Sequence, residues 1–188
     1  MITLVSGLPR SGTSMMMRIL EAGGIPPLAD GERAADVDNP HGYYELEAVK
    51  STREDPSWLE RADGRATKVI YKLLYDLPDD SREDHVVFMQ RALKEVIASQ
   101  EKMLVRRGAA SAGSAPSVDL VAAFAGEVAR CKAWLRERPR FHVVYMNYNQ
   151  LLEDPSSGLA RLAEFLGPCF DPARAAAAID PSLYRNRA

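Results

Sequence analysis

The chain has 188 residues, the length of one domain or of one domain with an appendage. Its 24 Lys and Arg against 26 Asp and Glu leave a net charge of −2, with 46% hydrophobic and 27% charged residues. These proportions exclude a mainly disordered, collagen-like or coiled-coil chain, and the near-neutral charge excludes broad electrostatic binding to nucleic acid or an anionic membrane. No apolar run approaches the roughly 18 residues that span a bilayer. The opening M-I-T-L-V lacks a basic segment and reads as a first strand rather than a secretion signal. Cys131 and Cys169 make neither a disulfide framework nor a C-x-x-C pair, and His41, His85 and His142 are scattered. The expectation is a metal-free protein of the reducing cytoplasm.

In chain order, residues 2–5 predict a strand, and Met15, Met16, Ile19 and Leu20 a helix stripe. Residues 30–39 read as irregular. Residues 68–71 and 86–89 predict two more strands, followed by a helix with Leu93, Val96, Ile97, Gln100 and Leu104 on one stripe. The small, polar stretch 108–117 reads as a mobile surface loop. A helix over 118–136, a strand over 141–146 and a last helix complete the pattern. Asp154 suits the N-cap of that helix, Pro155 its first position and Gly167 its end, with Leu159, Leu162, Ala163 and Leu166 facing inward. The strands are rich in Val and Ile and alternate poorly, as strands buried on both faces do. Strands alternating with helices predict an α/β fold, a parallel sheet with helices on both faces in three α/β/α layers. No internal repeat is evident, and residues 1–188 read as a single domain.

The strongest motif is L-V-S-G-L-P-R-S-G-T-S from Leu4 to Ser14. A strand running into Gly7, with Gly12 opening a helix, aims backbone N–H groups and a helix N-terminus at one point, which binds phosphate or sulfate. Ser11, Thr13 and Ser14 add hydroxyls, and Arg10 adds a charge. The spacing matches the first half of a Walker A loop, but Thr13 stands where that motif needs lysine. The motif resembles the 5′-phosphosulfate loop of the sulfotransferases that use 3′-phosphoadenosine 5′-phosphosulfate (PAPS), with its Pro-Lys/Arg-Ser-Gly-Thr core. The resemblance implies a P-loop-type sheet.

Two further segments carry the same resemblance. Arg91 follows a strand and Ser99 comes eight positions later, the spacing at which the family binds the 3′-phosphate of PAPS. Arg91 also stands four residues before Glu95, the spacing of a helix ion pair. The run Y-N-Q-L-L-E-D-P resembles the family's Tyr-x-x-Leu-x-x-Asp-Pro, which implies an adenine contact for Tyr148. The glycine-rich C-terminal segment of many members is missing, and Arg185 and Arg187 are the candidates to replace it.

The resemblance implies sulfuryl transfer from PAPS, without metal, to a hydroxyl or amine of an acceptor, a small molecule or another, that the sequence does not identify. In V-I-Y-K-L-L-Y-D-L-P, Lys72 falls on the family lysine that meets the sulfonate, but Leu74 replaces the histidine base of cytosolic members. The segment N-P-H-G-Y-Y-E is similar to one in bacterial sulfotransferase-like proteins and implies Glu45 as the base, with His41 as alternative. Tyr43, Tyr44, Trp58 and Tyr75 are candidates to line an acceptor pocket. Two other readings are open: a P-loop small-molecule kinase or other NTP-using enzyme, and a nucleotide-binding module without catalysis.

Overall fold

The computed structural model describes residues 1–32, 36, 39, 42–106 and 118–180. At its centre lies a 4-stranded parallel sheet in the order β2-β1-β3-β4. The strands are β1 (Thr3–Gly7), β2 (Ala66–Lys68), β3 (Asp84–Gln90) and β4 (Phe141–Asn147). Val5 stands opposite Lys68 on one side and Val87 on the other, and Phe88 stands opposite Tyr145.

Successive side chains of a strand point to opposite faces, and here both sets are apolar. Val5, Val87, Met89, Val144 and Met146 meet α1 (Thr13–Ala22), α4 (Tyr148–Glu153), α5 (Pro155–Leu166) and α6 (Pro172–Ala176) on one face. Ile2, Leu4, Val86, Phe88 and Phe141 point the other way. They meet α2 (Leu93–Arg106), α3 (Val118–Arg136) and the 3-10 turns Ser57–Arg61 and Tyr71–Asp76. Trp58, Leu74, Val96, Cys131 and Leu135 fill that second core. The three-layer α/β/α architecture expected from the sequence is the one observed.

Local signals act as their chemistry dictates. The Asp154 side chain accepts from the Ser157 N–H at the start of α5, Pro155 sits in the first turn and Gly167 ends the helix at φ 72°. The strand expected over residues 68–71 is shifted. Its pairing runs from Ala66 to Lys68, closes with Val69 N–H donating to Val5 O at 3.0 Å, and then turns. The N–H of Leu73 bonds back to Ile70 O at 2.9 Å, and Tyr71 and Leu74 drop into the core from the turn. An apolar run alone does not distinguish a strand from a buried turn. The stretch 108–117 lies outside the described residues.

The chain leaves β1 for β2 on one side, and β3 comes in on the other. The strand order therefore reverses beside β1, and in open parallel sheets the crevice at the carboxyl ends of such strands is where ligands bind. The loop 7–12 and Arg91 both sit at that edge.

Candidate functional site

The loop is shaped by backbone that ordinary side chains resist. Gly7 has φ 140°, Arg10 φ 72° and Gly12 φ 99°. A Cβ on Gly12 would stand 2.4 Å from Cδ2 of Tyr148, so only glycine lets the loop rest on that ring. Gly12 is also the N-cap of α1 and offers no side chain to its first N–H groups, and the first turn holds no acidic residue. Those N–H groups and the positive end of the helix dipole face the loop. Ser11 and Thr13 are buried, and Ser11 Oγ has no hydrogen-bond partner among the described residues. A buried hydroxyl in that state favours an incoming acceptor such as a phosphate oxygen.

On the β3 side, α2 holds the loop tip. Arg10 Nε donates to Ser99 Oγ at 2.9 Å, Gln100 Nε2 to Pro9 O at 3.3 Å, and Arg91 Nη1 to Arg10 O at 3.4 Å. Arg91 lies just before α2, so it reaches the loop from the start of the helix, while Ser99 reaches it from the helix interior. The Arg91 guanidinium stacks 4.3 Å over the Tyr148 ring, and its Nε donates to Glu95 Oε2 at 2.7 Å. Glu95 in turn accepts from Asn149 Nδ2 at 3.0 Å. Thus Arg10, Arg91, Ser99 and Tyr148 form one cluster, and it includes a buried carboxylate. Tyr148 is itself buried, beneath Gly12 and Arg91.

On the β2 side stands a lysine that the sequence reading did not single out. Lys68 Nζ donates to Tyr43 O at 3.0 Å and to Ser14 Oγ at 3.3 Å, and lies 3.6 Å from Glu45 Oε1. Its side chain is 9% exposed and that of Glu45 30%. Lys72 lies elsewhere: it is exposed on the Tyr71–Asp76 turn, with Nζ 5.9 Å from the centre of the Tyr71 ring. Because β2 ends at Lys68 rather than at residue 71, Lys68 is the lysine delivered to the carboxyl edge of the sheet. The signal was present as a second lysine four positions before Lys72, but choosing between them needs the strand boundary. His41, Arg185 and Arg187 lie outside the described residues.

The aromatic candidates separate. Tyr43 is buried with its hydroxyl on the Asp36 carboxylate at 2.7 Å. Tyr44, at φ 51°, donates to Glu21 Oε2 at 2.6 Å; burial and that carboxylate push its phenol up to about 12, so it stays protonated. Trp58 is a core residue whose Nε1 donates to Thr52 Oγ1 at 2.9 Å. Tyr75 packs edge-on against Trp134 with ring centres 5.0 Å apart, away from the loop cluster. A cavity of about 300 Å³ opens beside the loop, lined by Leu8, Ser11, Arg91, Leu93, Val128 and Lys132 among others. Among the described residues no group of His, Cys, Asp and Glu is arranged to hold a metal, and no helix is long and apolar enough to cross a membrane.

No protein-family description matches the chain, and no curated protein matches its sequence. Solved structures do match. The sulfotransferase domain of the olefin synthase of Synechococcus PCC 7002 superposes with a TM-score of 0.53 at 19% identity, over 97% of this chain and 85% of that one. The fold is sulfotransferase-like. The sulfotransferase domain of the curacin biosynthetic pathway gives 0.49 at 16% identity, over 97% and 88% of the two chains. A sugar kinase from Janibacter gives 0.44 at 15% identity, over 92% and 96%. Of these three, the first alone has a TM-score above 0.5, and at its identity it establishes shared fold and nothing finer. The resemblance carried by the three sequence segments thus holds at the level of the sulfotransferase-like fold.

Proposed function

We propose that this protein transfers a sulfuryl group from PAPS to a hydroxyl or amine of a small acceptor. The observation that carries this reading is the gathering of three cations around one glycine-capped helix start: Arg10 and Arg91 on its β3 side, Lys68 on its β2 side. PAPS has anionic groups at two separated places and supplies an activated sulfuryl group on a phosphate leaving group. The residues fit such a molecule. The loop N–H groups of Gly12 and Thr13, with the hydroxyls of Ser11 and Ser14, bind the 5′ end; the Ser11 N–H is already spent on Leu8 O at 3.1 Å. Arg91 and Ser99, with Arg10 between them, bind the 3′-phosphate. Tyr148 backs Arg91 and Gly12. The unpartnered Ser11 hydroxyl suits an anionic acceptor in the loop.

Glu45 accepts the acceptor's proton as general base. Lys68, between Glu45 and Ser14, meets the sulfonate and its bridging oxygen, the role expected of Lys72 from the sequence, and so stabilises the charge that grows on the leaving phosphate. The sulfotransferase-like fold supports the reading.

The test is thermal denaturation with adenosine 3′,5′-bisphosphate and with ATP, each with and without magnesium. The bisphosphate raises Tm without magnesium, and by more than ATP; at 100 times its Kd the gain is about 2.7 kcal/mol. Equal shifts remove the 3′-phosphate assignment, and a shift with Mg-ATP alone makes the protein an NTP-using enzyme. Transfer of label from PAPS to a member of an acceptor library separates an enzyme from a binding module.

A further inference from the structure

Arg91 is held on three sides, and the side that decides its direction is a carboxylate. Glu95 lies in the first turn of α2 with its side chain 4% exposed, and the Arg91 side chain is 7% exposed. A buried glutamate beside a proposed phosphate site opposes the ligand's charge, so its presence calls for a reason. The hydrogen bonds provide one. Glu95 Oε2 takes the Nε hydrogen of Arg91, at 2.7 Å, while Oε1 takes an Asn149 Nδ2 hydrogen, at 3.0 Å. With Nε occupied from behind and the ring of Tyr148 beneath, the terminal nitrogens of the guanidinium swing to the loop, where Nη1 reaches Arg10 O. A guanidinium is planar, so fixing one edge fixes the direction of the other. Asn149 follows Tyr148 on α4, and so the carboxylate links the start of α2 to the end of β4 and aligns both with the loop.

We propose that Glu95 is a positioning residue that aims Arg91 at the 3′-phosphate and thereby sets the preference of the site for a 3′-phosphorylated nucleotide. This rests on the PAPS reading above. Glu95 itself touches no ligand. Its effect falls on the discrimination between adenosine 3′,5′-bisphosphate and adenosine 5′-monophosphate, because the 5′-phosphate takes the loop N–H groups rather than the Arg91 guanidinium.

The experiment measures both affinities by calorimetry for the parent, E95A, E95Q and E95Q/N149D, after circular dichroism has verified folding. E95A removes both contacts and lowers the bisphosphate-to-monophosphate affinity ratio by about tenfold or more, the usual weight of a hydrogen bond to a charged group, while monophosphate affinity stays within about threefold. In E95Q the new amide accepts from Arg91, and the Asn149 amide turns to present its Oδ1 to the new N–H₂, so the geometry is kept without the negative charge and the ratio falls less than in E95A. In E95Q/N149D the amide donates to Asp and accepts from Arg91, so both contacts stand with the negative charge restored and the ratio recovers to within about threefold of the parent. A ratio in E95A equal to or above that of the parent overturns the proposal, since Glu95 would then be idle or a competitor of the phosphate. If E95A does not fold, E95L, which fills the buried site but offers no acceptor to Arg91, takes its place: the same fall in the ratio supports the proposal, and a ratio equal to or above that of the parent overturns it. A parent that binds the two nucleotides equally instead overturns the PAPS reading, so the two failures are distinguishable.

Discussion

Glu45 and Lys68 stand on one side of the loop and Arg10 on the other, and the three substitutions there separate by their effects. Glu45→Gln keeps bisphosphate affinity and lowers kcat by about 10²–10⁴, because the amide has no basic oxygen for the acceptor's proton. Lys68→Ala lowers kcat as well, and Lys72→Ala, which changes an exposed turn residue, leaves kcat and KM within about twofold. Arg10→Ala raises the bisphosphate Kd and lowers kcat together, since its guanidinium sits between the loop and Ser99. The measurement is steady-state kinetics with any acceptor found, beside bisphosphate calorimetry. Full activity in the Glu45 variant with a large loss in His41→Ala moves the base to His41, and equal losses at Lys68 and Lys72 remove the special place of Lys68.

The loop and α1 act as one element, because Gly12 is at once the last residue of the loop and the cap of the helix. Gly12→Ala meets both a φ of 99° and a contact of 2.4 Å with the Tyr148 ring. The strain exceeds the gain of about 0.4–1 kcal/mol that Gly→Ala brings at a permissive site. The variant is destabilised in urea and loses the bisphosphate-induced rise in Tm. At α5 the expectation is the reverse in kind. Asp154→Ala removes the cap on Ser157 N–H and costs about 1 kcal/mol of stability, with bisphosphate affinity unchanged. Loss of affinity in the Asp154 variant comparable to that in the Gly12 variant would mean that the two helices are not energetically separate.

For the whole molecule, acid sensitivity follows from the sheet's amino-terminal edge. His85 on β3 packs 4.7 Å from Phe165 and 5.8 Å from His142, ring centre to ring centre. Burial, and then the neighbouring His142, hold its imidazole below the usual 6.5. The unfolded chain therefore binds a proton that the folded chain resists. Stability from this residue is complete above the unfolded value and is lost as pH falls from about 6.5 through the lower folded value. Asp84 works in the opposite sense: burial raises its carboxyl pKa despite Arg140, so its contribution grows as pH falls. The test is thus a difference. The fall in Tm between pH 7 and pH 5 is smaller in His85→Gln than in the parent, and equal falls would exclude His85 as the source.

Composition and local pattern determined much of this protein by themselves. The Val-rich strands without clean alternation imposed a sheet covered on both faces, because both parities of side chain need burial. Asp154, Pro155 and Gly167 set the ends of α5 through bonds within a few residues, which need no partner from elsewhere. Gly7, Arg10, Gly12 and the Arg91–Ser99 spacing marked the loop and its neighbour in the same local way. What only the tertiary structure decided is where distant segments meet. Lys68, and not Lys72, reaches the carboxyl edge of the sheet because the end of β2 depends on its pairing with β1, 63 residues away in the chain, which apolar content does not encode. The Glu95 carboxylate between Arg91 and Asn149 likewise exists only once β3 and β4 lie side by side. The i+4 spacing allowed the ion pair, but the burial that turns it into a fixed mount for Arg91 comes from packing.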